Sequence, residues 1–95
     1  MKTEIYLDGG RLLVRIEGRF ILDECDALKE ALQSALIPAV SHVVVDLSGT
    51  EFIDSAGLGT LVRFKMQANQ IKARMTLANP SAAVAEVLSM SKLNE

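Results

Sequence analysis

A nearly unbroken apolar run, Val43-Val44-Val45 with Leu47 beyond Asp46, constrains the fold more than any other stretch of the chain. Strict alternation marks a strand with one wet face, whereas a continuous run is expected of a strand covered on both faces. Segments of helical periodicity on either side supply that cover. Helix one is expected from about Glu24 to Leu36, with Asp23 as its N-cap, Leu28, Ala31, Leu32, Ala35 and Leu36 at helical spacing, and Pro38 as its stop. A second helix is expected from about Ser55 to Gln70, where Leu58, Leu61, Val62, Phe64 and Ala68 make a broad apolar stripe.

The flanks complete the pattern. Ile5-Tyr6-Leu7 and Leu12-Leu13-Val14-Arg15-Ile16 enclose Asp8-Gly9-Gly10, whose glycines suit a tight turn, so a β-hairpin opens the chain and Gly18 closes its second strand. Arg74 to Ala78 reads as a short strand with Met75 and Leu77 on one face and Thr76 on the other. Asn79-Pro80 then opens a last helix, with Asn79 as cap, Pro80 at the first helical position and Val84, Val87 and Leu88 on its buried side. The expectation is an α/β fold: one domain over residues 1–95, a mixed β-sheet with an N-terminal hairpin, and right-handed βαβ crossovers that put parallel strands at the centre.

Composition removes several classes of function. A net charge of −2 and only four aromatic residues, Tyr6, Phe20, Phe52 and Phe64, argue against a nucleic-acid surface, which needs a basic stripe or a stacking platform. Cys25 is the single cysteine, so neither an internal disulfide nor a cysteine metal cluster is expected. No apolar run approaches the roughly 20 residues of a membrane span, and the start runs directly into a strand pattern without a signal-peptide core. A cytoplasmic chain without membrane contact is therefore expected. Cys25 reads as ordinary packing and His42 as a solvated or structural residue.

The segment after the central strand, Phe52-Ile53-Asp54-Ser55-Ala56-Gly57-Leu58-Gly59, places a serine at the mouth of helix two. That hydroxyl has three possible roles. As a nucleophile it needs a base in reach, yet His42, the only histidine, opens the strand whose far end precedes Ser55; the G-x-S-x-G elbow is also absent, with Ile53 in place of its first glycine. As a cap, Asp54 or Ser55 would satisfy first-turn amides. As a phosphoacceptor, Ser55 would carry its charge at the positive end of a helix, changing the surface without unfolding the domain. Gly57 and Gly59 each cost a helix about 1 kcal/mol against alanine, which points to close approach by another backbone or a partner. Arg63, Lys65 and Gln67 punctuate helix two as a solvated face, with Phe64 and Met66 between them leaving room for a mixed partner-binding face. Asp46 is placed to brace the Ser55 loop through backbone amides.

The chain resembles the STAS domains, and within them the bacterial anti-sigma factor antagonists. The resemblance rests on Val44-Val45-Asp46-Leu47-Ser48 followed by Phe52 to Gly59, and continues through Leu77-Ala78-Asn79-Pro80-Ser81 and Val87-Leu88, with Gly18 and Leu28 in the first crossover. It implies a non-enzymatic binding module without cofactor or metal, phosphorylated on Ser55. Asp54, Ala56, Gly57, Leu58, Gly59 and Arg63 would contact the partner. The implied partners are an anti-sigma factor or serine kinase of the histidine-kinase-like ATPase type, bound when Ser55 is unmodified, and a serine phosphatase that restores the complex.

Three positions depart from the family pattern. Ala56 replaces a common second hydroxyl, which leaves Ser55 as the only acceptor in its loop. Ile21 stands where an aspartate is common before helix one. Glu95 falls about where many relatives begin a last strand and helix, so a domain short at its C-terminus with an open sheet edge is expected. Short STAS domains also suit another role, a subunit bracing an ABC-type lipid-transport ATPase.

Overall fold

Gly9, at φ 62°, turns the chain between β1 (Lys2–Asp8) and β2 (Arg11–Phe20), which pair antiparallel from Lys2 opposite Glu17 to Asp8 opposite Arg11. This computed structural model describes residues 2–90, the Glu24 side chain excepted. The expected hairpin is present, but Gly18 does not end its second strand. At φ 93° it sits where the pairing register shifts, donates its amide to the Gly49 carbonyl at 2.8 Å, and lets β2 run on to Phe20.

That added length positions the site. The first half of β2 pairs in parallel with β3 (His42–Asp46), Arg11 opposite His42 through Arg15 opposite Asp46. Its last residues pair in parallel with β4 (Thr50–Ile53), Gly18 opposite Thr50 and Phe20 opposite Ile53. β3 and β4 therefore lie in series along one strand, joined by a turn at 47–49. β4 has no counterpart in the expected pattern, and the reason is local. Thr50 and Ile53 are buried while Glu51 and Phe52 are exposed, which is neither the period of two nor a continuous run. The Thr50 hydroxyl, buried, donates to the Ile16 carbonyl at 2.7 Å and fastens this short strand to β2.

The described residues also form three helices, α1 (Leu22–Ala35), α2 (Ser55–Gln70) and α3 (Ala82–Ser89), with β5 (Arg74–Ala78) between the last two. β5 joins β3 in parallel, giving the order β1-β2-β3-β5 with β4 beside the end of β2. Leu12, Val14, Ile16, Val43 and Val45 form one cluster with Leu28, Leu32, Leu61, Phe64, Val84 and Leu88 of the helices. Successive strand residues point to opposite faces, so Leu13, Val44 and their neighbours lie on the other face, where none of the described helices packs. Val44 is only half-buried. The apolar run at 43–45 thus belongs to a strand covered on one side, not two.

Two helix starts differ from expectation, α1 because its cap is supplied from a distance and α3 because its cap is a nearer residue than the expected one. α1 starts at Leu22, with Ile21 in the cap position and no capping side chain of its own, so Asp23 is not its N-cap. α3 starts at Ala82, and its cap is Ser81, whose Oγ accepts the Val84 amide at 3.2 Å. Asn79 instead takes a left-handed conformation, φ 56°, and Pro80 precedes the cap. No helix among the described residues is long and apolar enough to cross a membrane. The segment in which the C-terminal truncation was expected to show, 91–95, lies outside the described residues.

Candidate functional site

The motif around Ser55 is organised by its neighbour. Asp54 is extended at φ −98° and caps α2: its Oδ1 accepts the Gly57 amide at 2.8 Å, and its carbonyl accepts the Leu58 amide at 2.9 Å. Its other carboxylate oxygen, Oδ2, accepts the Leu22 amide at 3.2 Å. One side chain therefore serves the first turns of two helices, which is why α1 starts without a local cap. The Asp54 amide in turn donates to the Phe20 carbonyl at 3.3 Å, tying this point to the end of β2.

With Asp54 as cap, Ser55 is the first residue of α2 and is exposed. The remaining motif residues divide sharply. Gly57 is buried, and a Cβ there would stand 2.4 Å from the Phe20 carbonyl oxygen and 2.9 Å from Ile53 Cγ1. The close backbone approach that Gly57 allows is thus internal. Gly59 is exposed, and a Cβ there would meet nothing within 4 Å. Packing among the described residues gives no reason for a glycine at that position. Ala56 and Leu58 are half-buried against the core, and the Ala56 carbonyl accepts the Thr60 hydroxyl at 2.9 Å.

Helical geometry extends the site along α2. At about 100° per residue, Ser55, Gly59, Val62 and Met66 fall on one outward line. Val62 and Met66 are exposed apolar side chains, Met66 at 60%. Leu22 at the start of α1 is 68% exposed, and Phe52 at the end of β4 is 48% exposed with the Arg19 guanidinium 5.7 Å from its ring centre. Arg63 points aside, into a groove of about 160 Å³ between α1 and α2 that Lys29 and Gln67 also line. Phe52 enters the sequence reading only as an aromatic at the head of the motif, and Leu22 falls just before the expected start of helix one; their exposure at element ends depends on where β4 and α1 actually lie.

The other candidate residues lie elsewhere. His42 and Ile53 pair with Arg11 and Phe20, nine residues apart along β2, or about 30 Å. His42 bonds through Nε2 to the Thr76 hydroxyl at 2.8 Å and has no route to Ser55. Cys25 is buried and its Sγ lies 3.2 Å from the Ile21 carbonyl. Asp46 does not brace the Ser55 loop: its Oδ1 accepts the Ser48 amide at 3.0 Å, and the Asn79 side chain also bonds to it. These bonds, the Ser48 amide first, hold its carboxyl below the usual aspartate value. Asp46 thus ties the turn after β3 to the turn after β5.

The family model described as "Mlab, STAS domain" matches residues 5–95. A STAS-domain containing protein of Pseudomonas aeruginosa (strain UCBPP-PA14) is 31% identical over 88 residues, 93% of this chain and 86% of the relative. Among solved structures, the anti-sigma factor antagonist SpoIIAA in its unphosphorylated form superposes with a TM-score of 0.87 at 20% identity, covering 97% of this chain and 82% of that one. High affinity sulfate transporter 1 of Stylosanthes hamata is 25% identical over 97 residues, 90% of this chain but 14% of the transporter. The chain belongs to the STAS domain family. These domains are generally non-enzymatic binding modules, and they occur both as small antagonists and as parts of transporters.

Proposed function

We propose that this protein is an anti-sigma factor antagonist whose binding is switched by phosphorylation of Ser55. The observation that carries the reading is the division of labour at the start of α2: Asp54 makes the cap, and Ser55, at the first helical position, is exposed. A phosphate on Ser55 would add about −1.5 to −2 charges beside the positive end of the helix, where the fold tolerates it. Gly59, Val62 and Met66 continue the same outward line, with Leu22 and Phe52 at its head, as a surface for a partner. Unmodified, this surface binds a kinase-like anti-sigma factor. Phosphate placed at its end ends the complex through charge and bulk, and a serine phosphatase restores it. The protein acts in the cytoplasm, and its output is regulation of transcription.

Incubation with the cognate kinase and ATP, followed by mass spectrometry, tests this directly. One phosphate on Ser55 is expected; modification elsewhere, or none with the true partner, overturns the reading. A second reading draws on the match to the Mlab family description and on the apolar strip, which does not need a phosphate to bind. In it, the chain braces an ABC-type lipid-transport ATPase. Copurification with such an ATPase that is unaffected by Ser55→Asp would favour that role.

A further inference from the structure

Among the described residues the helices leave one face of the sheet open, and its side chains form ordered rows. Strand register places Tyr6, Leu13, Val44 and Thr76 side by side across β1, β2, β3 and β5. On one side of this row run Asp8, Arg11, His42 and Arg74; on the other run Glu4, Arg15, Asp46 and Ala78. The middle row is the apolar one. Tyr6 is 55% exposed, and with Leu13, Val44 and Ala78 it lines a shallow groove of about 230 Å³. An apolar row between two charged rows is the pattern of an interface core with a polar rim.

We propose that this face is where two copies of the chain associate, sheet against sheet, about a two-fold axis parallel to the strands and between β2 and β3. Such an axis exchanges β2 with β3 and β1 with β5 and keeps each row opposite itself. Leu13 of one copy then meets Val44 of the other, twice. Arg15 meets Asp46 twice and Asp8 meets Arg74 twice, so opposite charges face each other at both rims. Arg11 meets His42, which adds no attraction. The alternative in-plane axis, across the strands, sets His42 against Asp46 but also Arg11 against Arg15 and Asp8 against Glu4, so like charges outnumber its one favourable pairing. Charge order thus selects one arrangement of a self-complementary patch. Aligned sheets pack with strand directions within about 30°, a rotation that long arginine side chains can follow. Arg15 already holds Glu17 through Nε at 3.1 Å, and its guanidinium has further donors.

The face is small. Four strands at about 4.8 Å and five residues at about 3.3 Å give a footprint well below that of a standard interface. The dimer is therefore weak and depends on concentration. It also leaves Ser55 free, because α2 lies on the opposite side of the sheet.

Sedimentation velocity from micromolar to near-millimolar concentration, with circular-dichroism melts as a folding control, tests the arrangement. The wild-type chain should shift from monomer toward dimer, and Val44→Glu should abolish the shift. Asp8→Arg alone and Arg74→Asp alone should each weaken it at least tenfold, whereas a mixture of the two variants, or the double exchange in one chain, should restore it. Within one copy these residues are three strand spacings apart, about 14 Å, so restoration reports contact between copies. A wild-type chain that stays monomeric overturns the proposal, as does a charge exchange that restores nothing. Loss of anti-sigma factor binding in Val44→Glu, with a monomeric wild type, would assign the face to that partner instead.

Discussion

Asp54 and Leu22, 32 residues apart, are joined by a hydrogen bond of 3.2 Å from the Leu22 amide to Oδ2, while Oδ1 of the same carboxylate holds Gly57 at 2.8 Å. The residue before the candidate phosphoacceptor is therefore the capping group for both helices that meet at the site. Losing it costs more than losing an ordinary cap. An N-cap is worth about 1 kcal/mol, so Asp54→Ala should destabilise the domain by about 2 kcal/mol in urea unfolding. Asp54→Asn keeps one acceptor oxygen but turns an amide group toward the second N–H, and should fall between. A loss in Asp54→Ala no larger than that of Ser81→Ala, the single cap of α3, would refute the shared role.

The two glycines of the motif differ in what surrounds them, and under the proposed function they should separate folding from binding. Gly57→Ala forces a Cβ to within 2.4 Å of the Phe20 carbonyl oxygen, and backbone offers no soft neighbour to yield. It should lower the unfolding midpoint by the equivalent of about 1–3 kcal/mol, the usual cost of overpacking. Gly59→Ala meets open space and should raise stability by up to about 1 kcal/mol through helix propensity. It should nonetheless weaken the proposed partner complex, because the added methyl lies on the outward line of Ser55, Val62 and Met66. Unfolding curves and binding titrations on the same two proteins check both halves.

What the sequence made legible follows how local each determinant is. The hairpin turn, α2 and β5 are set by neighbouring residues, a turn dipeptide or a helical stripe, and they fall where periodicity puts them. The start of α1 was misplaced because its cap is Asp54, a residue far along the chain, while Asp23 carried an attractive but unused local signal. Asn79 misled in the same way: a good capping residue by type, it adopts φ 56° and turns its side chain to Asp46. β4 was hidden because four residues pairing with the overrun of β2 carry no period of their own. At the site, Ser55 and Asp54 were legible from the motif, but the separate roles of Gly57 and Gly59 depend on where the Phe20 carbonyl lies.

Asp46 makes stability depend on acid. The Ser48 amide and the Asn79 side chain favour its charged form and hold its carboxyl below the ordinary value of 3.8. A depressed folded-state value contributes stability that is fully present above the unfolded value and is lost as pH falls through the folded one. Wild type and Asp46→Asn should therefore differ most at neutral pH and converge as the solution is acidified below the carboxylate range. Urea midpoints measured for both proteins down that range check the sign. A gap that widens on acidification would contradict it.

Ser55→Asp sets the fold and the switch against each other. The variant places a carboxylate in the first turn of α2, where negative charge is favoured by about 0.3–1 kcal/mol, beside an Asp54 that is already engaged by two amides. The attraction to the helix and the repulsion from Asp54 largely offset each other, so the circular-dichroism melt should stay close to wild type. Binding should not. A fixed charge at the head of the Gly59, Val62 and Met66 line should weaken the proposed anti-sigma complex at least tenfold, while Ser55→Ala should bind and resist release by ATP. Isothermal titration with and without ATP distinguishes the cases. If Ser55→Asp melts far below wild type, the serine hydroxyl itself supports the fold; if it binds as tightly as wild type, charge at this position is not the switch.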